Sequence, residues 1–442
     1  MPPDCCDECD RSPVDFGDAA LYANGHPHAV LEGLRAAAPV HRLSSPALGH
    51  DFWGVFRAEQ AREVLADDRT FVSGLGVFPW NGPHNPDPLR GSILIASDGA
   101  RRAAVRAAVA GLFTRQAVES RRPGLAALFG RLLAPRLDGG AFDFGSDVAR
   151  PAAMAAVADL VGLRAEHAAR VGEQVAGVLG DTGPAEDVRG DRAAAGGAFA
   201  RAAQVLDEAV AERRGADADA DDVIGALERA RRSGSLSRRD VLSNLIGIIV
   251  GGTEAPRLVL TGVAVALARR PDWCDRLRED PALLPGFVDE SLRWTAPTTM
   301  VGRTAARDVR LGGRQVRRGD VVRVMLASVC RDPALHPDPD AFDPRRAGHA
   351  DLAFGHGPHR CLGAAPARAQ VAALLETLVR LDARLVPAGP TTGTRSNTFS
   401  GHLGARLALR RGARRPDPTA PDADPTRSPG GRRTDTDQEA TP

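Results

Sequence analysis

One ten-residue stretch, Phe354-Gly355-His356-Gly357-Pro358-His359-Arg360-Cys361-Leu362-Gly363, restricts what the rest of the chain can be. It sets a cysteine directly after His359 and Arg360, in a loop whose glycines are Gly355 and Gly357 before it and Gly363 after it, with Pro358 between. Beyond it Leu362, Ala365, Ala369, Ala372 and Leu375 recur at near-helical spacing, so the loop runs into a helix. A thiol at a helix N-terminus beside basic side chains has its thiolate stabilised by the helix dipole and by local positive charge. The glycines let the backbone pass close to something flat and bulky, where any Cβ would clash. A buried, inert cysteine beside a glycine-rich turn is one reading. A thiolate held rigidly against a large planar group is the other, and a cysteine-ligated haem needs that arrangement.

The longest helical pattern runs from Ser237, a cap, to about Ala268. Its middle, Leu245-Ile246-Gly247-Ile248-Ile249-Val250, is apolar nearly all round, which predicts a central, buried helix. Gly251-Gly252-Thr253-Glu254-Ala255-Pro256 then interrupts it. Two glycines and a proline mid-helix cost several kcal/mol in propensity, and Pro256 leaves the Gly252 carbonyl unpaired. A kink beside a ligand explains that cost. A packing kink against another helix explains it equally.

Elsewhere, helical segments predominate over short strands. Asp51 to Phe56 reads as a strand and Ala58 to Leu65 as a helix. Residues 70–97 are rich in Gly, Pro and Asn, as in segments that form binding pockets. Asp98 caps a helix through Leu112, in which Arg102 and Arg106 share a face. Val309 to Val324 reads as hairpins around Gly312-Gly313 and Arg318-Gly319, and residues 396–409 as a last hairpin. Nothing between residues 15 and 410 reads as a linker. One large domain over residues 20–411 is expected, with disordered tails at 1–19 and 412–442.

Lys+Arg 57 against Asp+Glu 56 gives a net charge of +1, which argues against a nucleic-acid partner. No lysine occurs; with Ala, Gly and Pro so abundant, the arginine content reads as codon bias. The start MPPDCCDECDRSPVDF is neither a signal peptide nor a membrane anchor, and no segment has eighteen uninterrupted apolar residues. A cytoplasmic protein without a membrane partner is expected. Cys5, Cys6 and Cys9 lack a fourth ligand at familiar spacing, while Cys274 and Cys330 read as packed free thiols.

The order Phe, Gly, x, Gly, x, basic, x, Cys, x, Gly resembles the haem-binding signature of the cytochrome P-450 family, with every fixed position matched. Four further stretches resemble the family in its own order. Arg102 and Arg106 precede Phe113-Thr114, where the family has a His and an Arg. Gly251, Gly252 and Glu254 match its oxygen-binding helix. Glu290 and Arg293 match its Glu-x-x-Arg, and Phe342-Asp343-Pro344-Arg345-Arg346 supplies Arg346 as third member of a buried ion-paired triad.

The resemblance implies a mainly α fold with a smaller β-rich part, the cytochrome P-450 fold, holding haem b (iron protoporphyrin IX). It implies Cys361 as axial ligand, Arg102, Arg106, Arg303 and His359 at the propionates, Phe354 beside the ligand, Gly363 in the cofactor loop, and Gly252 to Ala255 framing the oxygen site. Dioxygen, a small organic substrate and electrons from NAD(P)H through ferredoxin reductase and ferredoxin complete the expected reaction. A haem-thiolate monooxygenase of secondary metabolism follows.

One departure is chemical. Ala255 stands where the family has a threonine whose alcohol, with the acid, helps deliver protons during dioxygen activation. Glu254 can still feed a relay, but the hydroxyl must come from water, the substrate or Thr253, which points to a different face. Oxidative coupling, desaturation or rearrangement without oxygen insertion is therefore the nearer rival, and a non-catalytic haem or ligand-binding protein the more distant one.

Overall fold

The computed structural model describes residues 14–176, 192–213, 220–346 and 352–412. Helix accounts for 54% of the protein, and the mainly α expectation holds. Ten strands, in chain order, make up three small sheets. They are β1 (Val40–Ser45), β2 (His50–Val55), β3 (Phe71–Val72), β4 (Phe142–Asp143), β5 (Met300–Ala305), β6 (Val309–Leu311), β7 (Arg314–Val316), β8 (Val321–Met325), β9 (Ala383–Gly393) and β10 (His402–Arg411). The largest sheet has the order β1-β2-β8-β5-β3, with β2 and β8 parallel and the other neighbours antiparallel. A second has the order β4-β10-β9, and β6 pairs with β7 alone.

The β6–β7 hairpin turns on Gly312 (φ +55°) and Gly313 (φ +83°), the left-handed pair that a two-residue hairpin turn requires. The turn at Arg318-Gly319 makes no second hairpin. It delivers β8 to the large sheet between β5 and β2, because β8 is buried along its whole length and needs partners on both edges. The last hairpin also begins earlier than residue 396, since β9 pairs with β10 from Ala383 onward. That leaves residues 394–401 as the loop between them.

The long helix is capped as expected: Ser237 and Asp240 form a reciprocal capping box. It does not break at the Gly-Gly-Thr-Glu-Ala-Pro run, and continues from Arg238 to Arg269. Packing on both halves overrides the poor local propensity. Val241, Leu245, Ile246 and Ile249 enter one apolar core, and Leu260, Val263, Ala264 and Leu267 enter another. Gly252 has a further reason to be small. A Cβ there would lie 2.6 Å from Val157 Cγ2 on the Arg150–Val161 helix, so the glycine lets the two helices close. By length and composition this helix could cross a membrane, but 72% of its most apolar window is buried inside the protein.

Glu290 and Arg293, on the Leu284–Thr295 helix, are both fully buried. Two guanidinium nitrogens of Arg293 donate to the two carboxylate oxygens at 2.7 Å each, and Arg346 Nε donates to Oε1 at 3.3 Å. The expected triad is in place.

The packed body starts before residue 20, which corrects the expected N-terminal boundary. Phe16 is buried beside Phe56, and the Asp15 carboxylate accepts from the Gly17 and Ala47 amides at 2.8 Å each. Residues 1–13, with Cys5, Cys6 and Cys9, and 413–442 lie outside the described residues, as does the stretch 180–190. Asp222 is a buried N-cap accepting from Gly225 N. Cys274 and Cys330 are buried free thiols; burial pushes them up to about 11 and about 12.

His26 and His28 help fasten this N-terminal stretch. The His26 ring donates to the Ala296 carbonyl at 3.1 Å, and burial pushes His26 down to about 4 and His28 to about 3. The unfolded chain therefore binds more protons below the ordinary value of 6.5. Stability falls as pH drops from there through the folded values. Urea unfolding should show roughly 2 kcal/mol less stability at pH 5 than at pH 7.5, partial exposure having been discounted. His26→Gln should flatten that slope; equal stability of the wild type at both pH values would contradict it.

Candidate active site

Cys361 lies between a one-turn 3-10 segment, Gly357–His359, and the helix Ala364–Arg380. Its amide donates to the Phe354 carbonyl at 2.9 Å, and Arg360 N donates to Gly357 O at 3.0 Å, which closes the loop on itself. Gly355 (φ +70°) and Gly357 (φ +68°) both adopt the left-handed conformation that other residues adopt only at a cost. At Gly357 a Cβ would also meet Leu65 O at 2.5 Å. The close neighbour there is the backbone of the Ala58–Ala66 helix, so this glycine serves packing of the loop rather than approach to a planar ligand. Phe354 lies under the Arg368 guanidinium, 4.8 Å from its ring centre.

The Cys361 side chain is exposed, and the space that exposes it is an internal cavity of about 2580 Å³. Its depth in the protein pushes the thiol up, while the Gly363 amide and the charges of Arg106, Arg360 and Arg368 pull it down. The electrostatic pull expected of this loop is present, but desolvation outweighs it. A cation bound at the sulfur would favour the thiolate.

Such a cation must bring anionic groups, for the same cavity wall carries cations without counter-ions. Arg102 is 8% exposed, and its Nε and Nη2 are buried with no hydrogen-bond partner. Arg303, on β5, is 3% exposed and donates from Nη1 to its neighbour's carbonyl, Gly302 O, at 2.8 Å. Among the described residues neither forms an ion pair, and burial pushes both down, Arg303 to about 10. Arg106 Nη1 donates to Arg360 O at 3.2 Å, beside the cysteine. Buried guanidinium groups left so are costly unless a ligand's carboxylates fill the gap. A thiol facing a large cavity whose wall also carries buried, unpaired guanidinium groups fits haem b.

His359 lines the same cavity and also meets an acid. Its Nε2 lies 3.4 Å from Asp98 Oδ1 and 3.4 Å from Ser73 Oγ. Asp98 sits at the helix N-cap position but makes no capping bond. It accepts instead from the amides of Ser73 and Gly74, which ties the cysteine loop, the 70–97 segment and the Gly99–Val109 helix together.

The long helix presents Gly251, Gly252, Ala255 and Pro256 to the same cavity. Thr253 and Glu254 are not among its lining residues. The Thr253 hydroxyl donates to Ile249 O at 2.7 Å, and the Glu254 carboxylate faces Arg257 at 3.8 Å. Helical geometry turns these two away while Ala255 stays on the cavity face. Cys361, Phe354, Gly363, Arg102, Arg106, Arg303, His359, Gly252 and Ala255 therefore come together, and Thr253 and Glu254 stand apart.

One contributor had escaped the sequence reading. Arg323 on β8 is fully buried, and it donates to the carbonyls of Phe78, Pro79 and Asn81 at 3.1, 2.6 and 2.9 Å. It thereby holds the roof of the cavity in place. An arginine inside the apolar run Val321-Val322-Arg323-Val324 was the available signal. From the other side, Asn397, Thr398 and Phe399 of the 394–401 loop reach the cavity, and Thr299 N donates to Thr398 O at 3.0 Å.

Known proteins resemble this arrangement throughout. The family description "Cytochrome P450" matches residues 194–381. A steroid C26-monooxygenase of Mycobacterium tuberculosis is 31% identical over 382 residues, spanning 84% of this chain and 91% of that protein. The structure of P450 OxyD, involved in the biosynthesis of vancomycin-type antibiotics, matches with a TM-score of 0.81 at 28% identity. It covers 90% of this chain and all of that one, 100%. The cytochrome P450 enzyme CxnD, for C–S bond formation in chuangxinmycin biosynthesis, matches with a TM-score of 0.78 at 25% identity, covering 92% and 98%.

Proposed function

The chain belongs to the cytochrome P450 family and is a haem b-dependent monooxygenase, and on that premise we propose that it oxidises a small organic substrate of secondary metabolism in the cytoplasm. Its electrons come from NAD(P)H through ferredoxin reductase and ferredoxin. The observation that carries this reading is the Cys361 side chain facing a large cavity whose lining also includes Ala255 and the buried, unpaired Arg102 and Arg303.

When bound, haem b supplies reductive activation of dioxygen and transfer of an oxygen atom. Cys361 Sγ holds the metal. Arg102, Arg106 and Arg303 bind the propionates by charge-assisted hydrogen bonds. His359, through Asp98, fixes the loop that carries the cysteine. Phe354 and Gly363 shape its immediate surroundings. Arg323 and the 394–401 loop position the walls that exclude water and orient the substrate.

Proton supply is where this chain differs. With Thr253 Oγ1 engaged by Ile249 O and Ala255 offering only a methyl, the long helix gives the cavity no hydroxyl at that turn. Protons must then reach the cavity through water or through the substrate's own donor groups. The same feature favours a second reading, oxidation without oxygen insertion such as bond coupling, as the name of CxnD describes for that protein.

Ala255→Thr separates the two. If oxygen is inserted, product formed per NAD(P)H consumed should rise by roughly twofold or more. That is a small part of the ~10²–10⁴ that positioned proton donors contribute. An unchanged ratio with an unchanged product favours coupling and counts against the monooxygenase reading.

A further inference from the structure

We propose that the cavity contains a second binding subsite, built on Asp87, which takes a positively charged amine, so that the substrate carries a protonated nitrogen remote from the carbon that is oxidised. The inference rests on the cavity being the substrate chamber of the enzyme proposed above.

Asp87 belongs to the 70–97 segment, is 6% exposed, and lines the same cavity as Cys361. Its Oδ1 accepts from Leu89 N at 2.8 Å. Its Oδ2 receives no donor among the described residues, and is not sealed away from the cavity in the manner of the wholly buried polar atoms. No cation pairs with the carboxylate among the described residues. The other acids on the cavity wall, Asp18, Asp159 and Glu173, are exposed to water.

Arginines on the outer wall do not answer it either. Arg121 pairs with Asp159, Arg201 donates to Gln174, and Arg239 donates to the Pro88 carbonyl at 2.8 Å. Arg395 is exposed. A carboxylate withdrawn from water without a counter-ion is unfavourable, and burial pushes the Asp87 carboxyl up accordingly. A neutral hydroxyl from a ligand would satisfy one lone pair and leave the charge uncompensated. A protonated amine supplies both the charge and the missing donor.

The subsite is held firmly and at a distance. Leu94 N donates to Asn244 Oδ1 and Asn244 Nδ2 donates to Ser92 O, at 2.8 Å each. With the Arg239–Pro88 bond, these fasten the segment to the amino-terminal part of the long helix. Arg239 and Ala255 are sixteen residues apart on that helix, roughly 24 Å at 1.5 Å per residue. An amine held at this end belongs to an elongated substrate whose far end reaches the cysteine side.

Three probes that share one skeleton test the proposal: phenylhexyltrimethylammonium, phenylhexanol and phenylhexanoate. The quaternary nitrogen has no lone pair and cannot ligate iron. Calorimetric titration of the haem-loaded enzyme should find the cation bound about tenfold more tightly than the alcohol, and the anion weakest. Asp87→Asn keeps an acceptor for Leu89 N and removes only the charge. It should bring the cation to within about twofold of the alcohol, with the alcohol's own affinity and the melting temperature unchanged. Alcohol or anion binding as tightly as the cation, no binding of the cation, or a preference that survives in Asp87→Asn would each overturn the proposal. The thiolate-type spectrum of the reduced, carbon monoxide-treated wild type separates this failure from that of the enzyme reading, because it does not depend on Asp87.

Discussion

Glu290→Leu should remove about 3–5 kcal/mol of folding stability, against the 5–15 kcal/mol that typical domains possess. Little haem-loaded protein should be recovered from it. Glu290 and Arg293 have no exposed side-chain surface, and their two parallel hydrogen bonds are the only ion pair that Arg293 makes among the described residues. Its remaining bonds go to backbone carbonyls of Cys330, Pro339 and Ala341. Removing the carboxylate would leave a buried guanidinium without a counter-ion and orphan the Asp343 amide, which donates to Glu290 Oε1 at 2.8 Å.

Arg346 is a milder case. Its side chain keeps 11% exposure, its bond to Glu290 is longer, and Ala341 O is a further partner at 3.1 Å. Arg346→Ala should cost about 1–2 kcal/mol, since Arg293 still neutralises the acid. Urea unfolding of the purified holoproteins checks both. A Glu290→Leu variant within about 1 kcal/mol of wild type would contradict the buried-triad account.

The Glu290–Arg293 pair was legible because its spacing is local, an acid and an arginine three apart sharing a helix face wherever the helix lies, whereas its burial and Arg346 as third member came from the family resemblance. The cysteine loop was legible for the same reason, as its glycines and helix start are consecutive in the chain. What the sequence hid depends on contacts between distant segments. Asp98 has the composition of a helix cap, yet its carboxylate turns to Ser73, Gly74 and His359, none of which is near it in the chain. Glu254 follows the signature, but the rotation of the long helix, fixed by two cores, turns it away from the cavity. A uniform abundance of arginine disguised Arg323, while Arg102, Arg293 and Arg303 stood out only through the family resemblance. Arg102, Arg293, Arg303 and Arg323 are buried while most others lie at the surface, and nothing in composition separates them. The interrupted helix failed as a prediction because propensity is a local quantity and the packing against Val157 is not.

Cys361→Ala is the second large effect. The alanine side chain is smaller and the loop bonds are backbone bonds, Cys361 N to Phe354 O and Arg360 N to Gly357 O, so the fold should persist. Only the metal ligand is lost. Arg102 and Arg303 keep their attraction for propionates, and the variant should be recovered with haem present but without thiolate ligation. Turnover with NAD(P)H should fall below detection, since the sulfur's electron density promotes the cleavage of the oxygen–oxygen bond.

The absorption spectrum of the reduced, carbon monoxide-treated holoprotein tests the central claim most directly. The account predicts a thiolate-type Soret band in the wild type and its complete loss in Cys361→Ala; a wild type that lacks this band after reconstitution with haem b would contradict it.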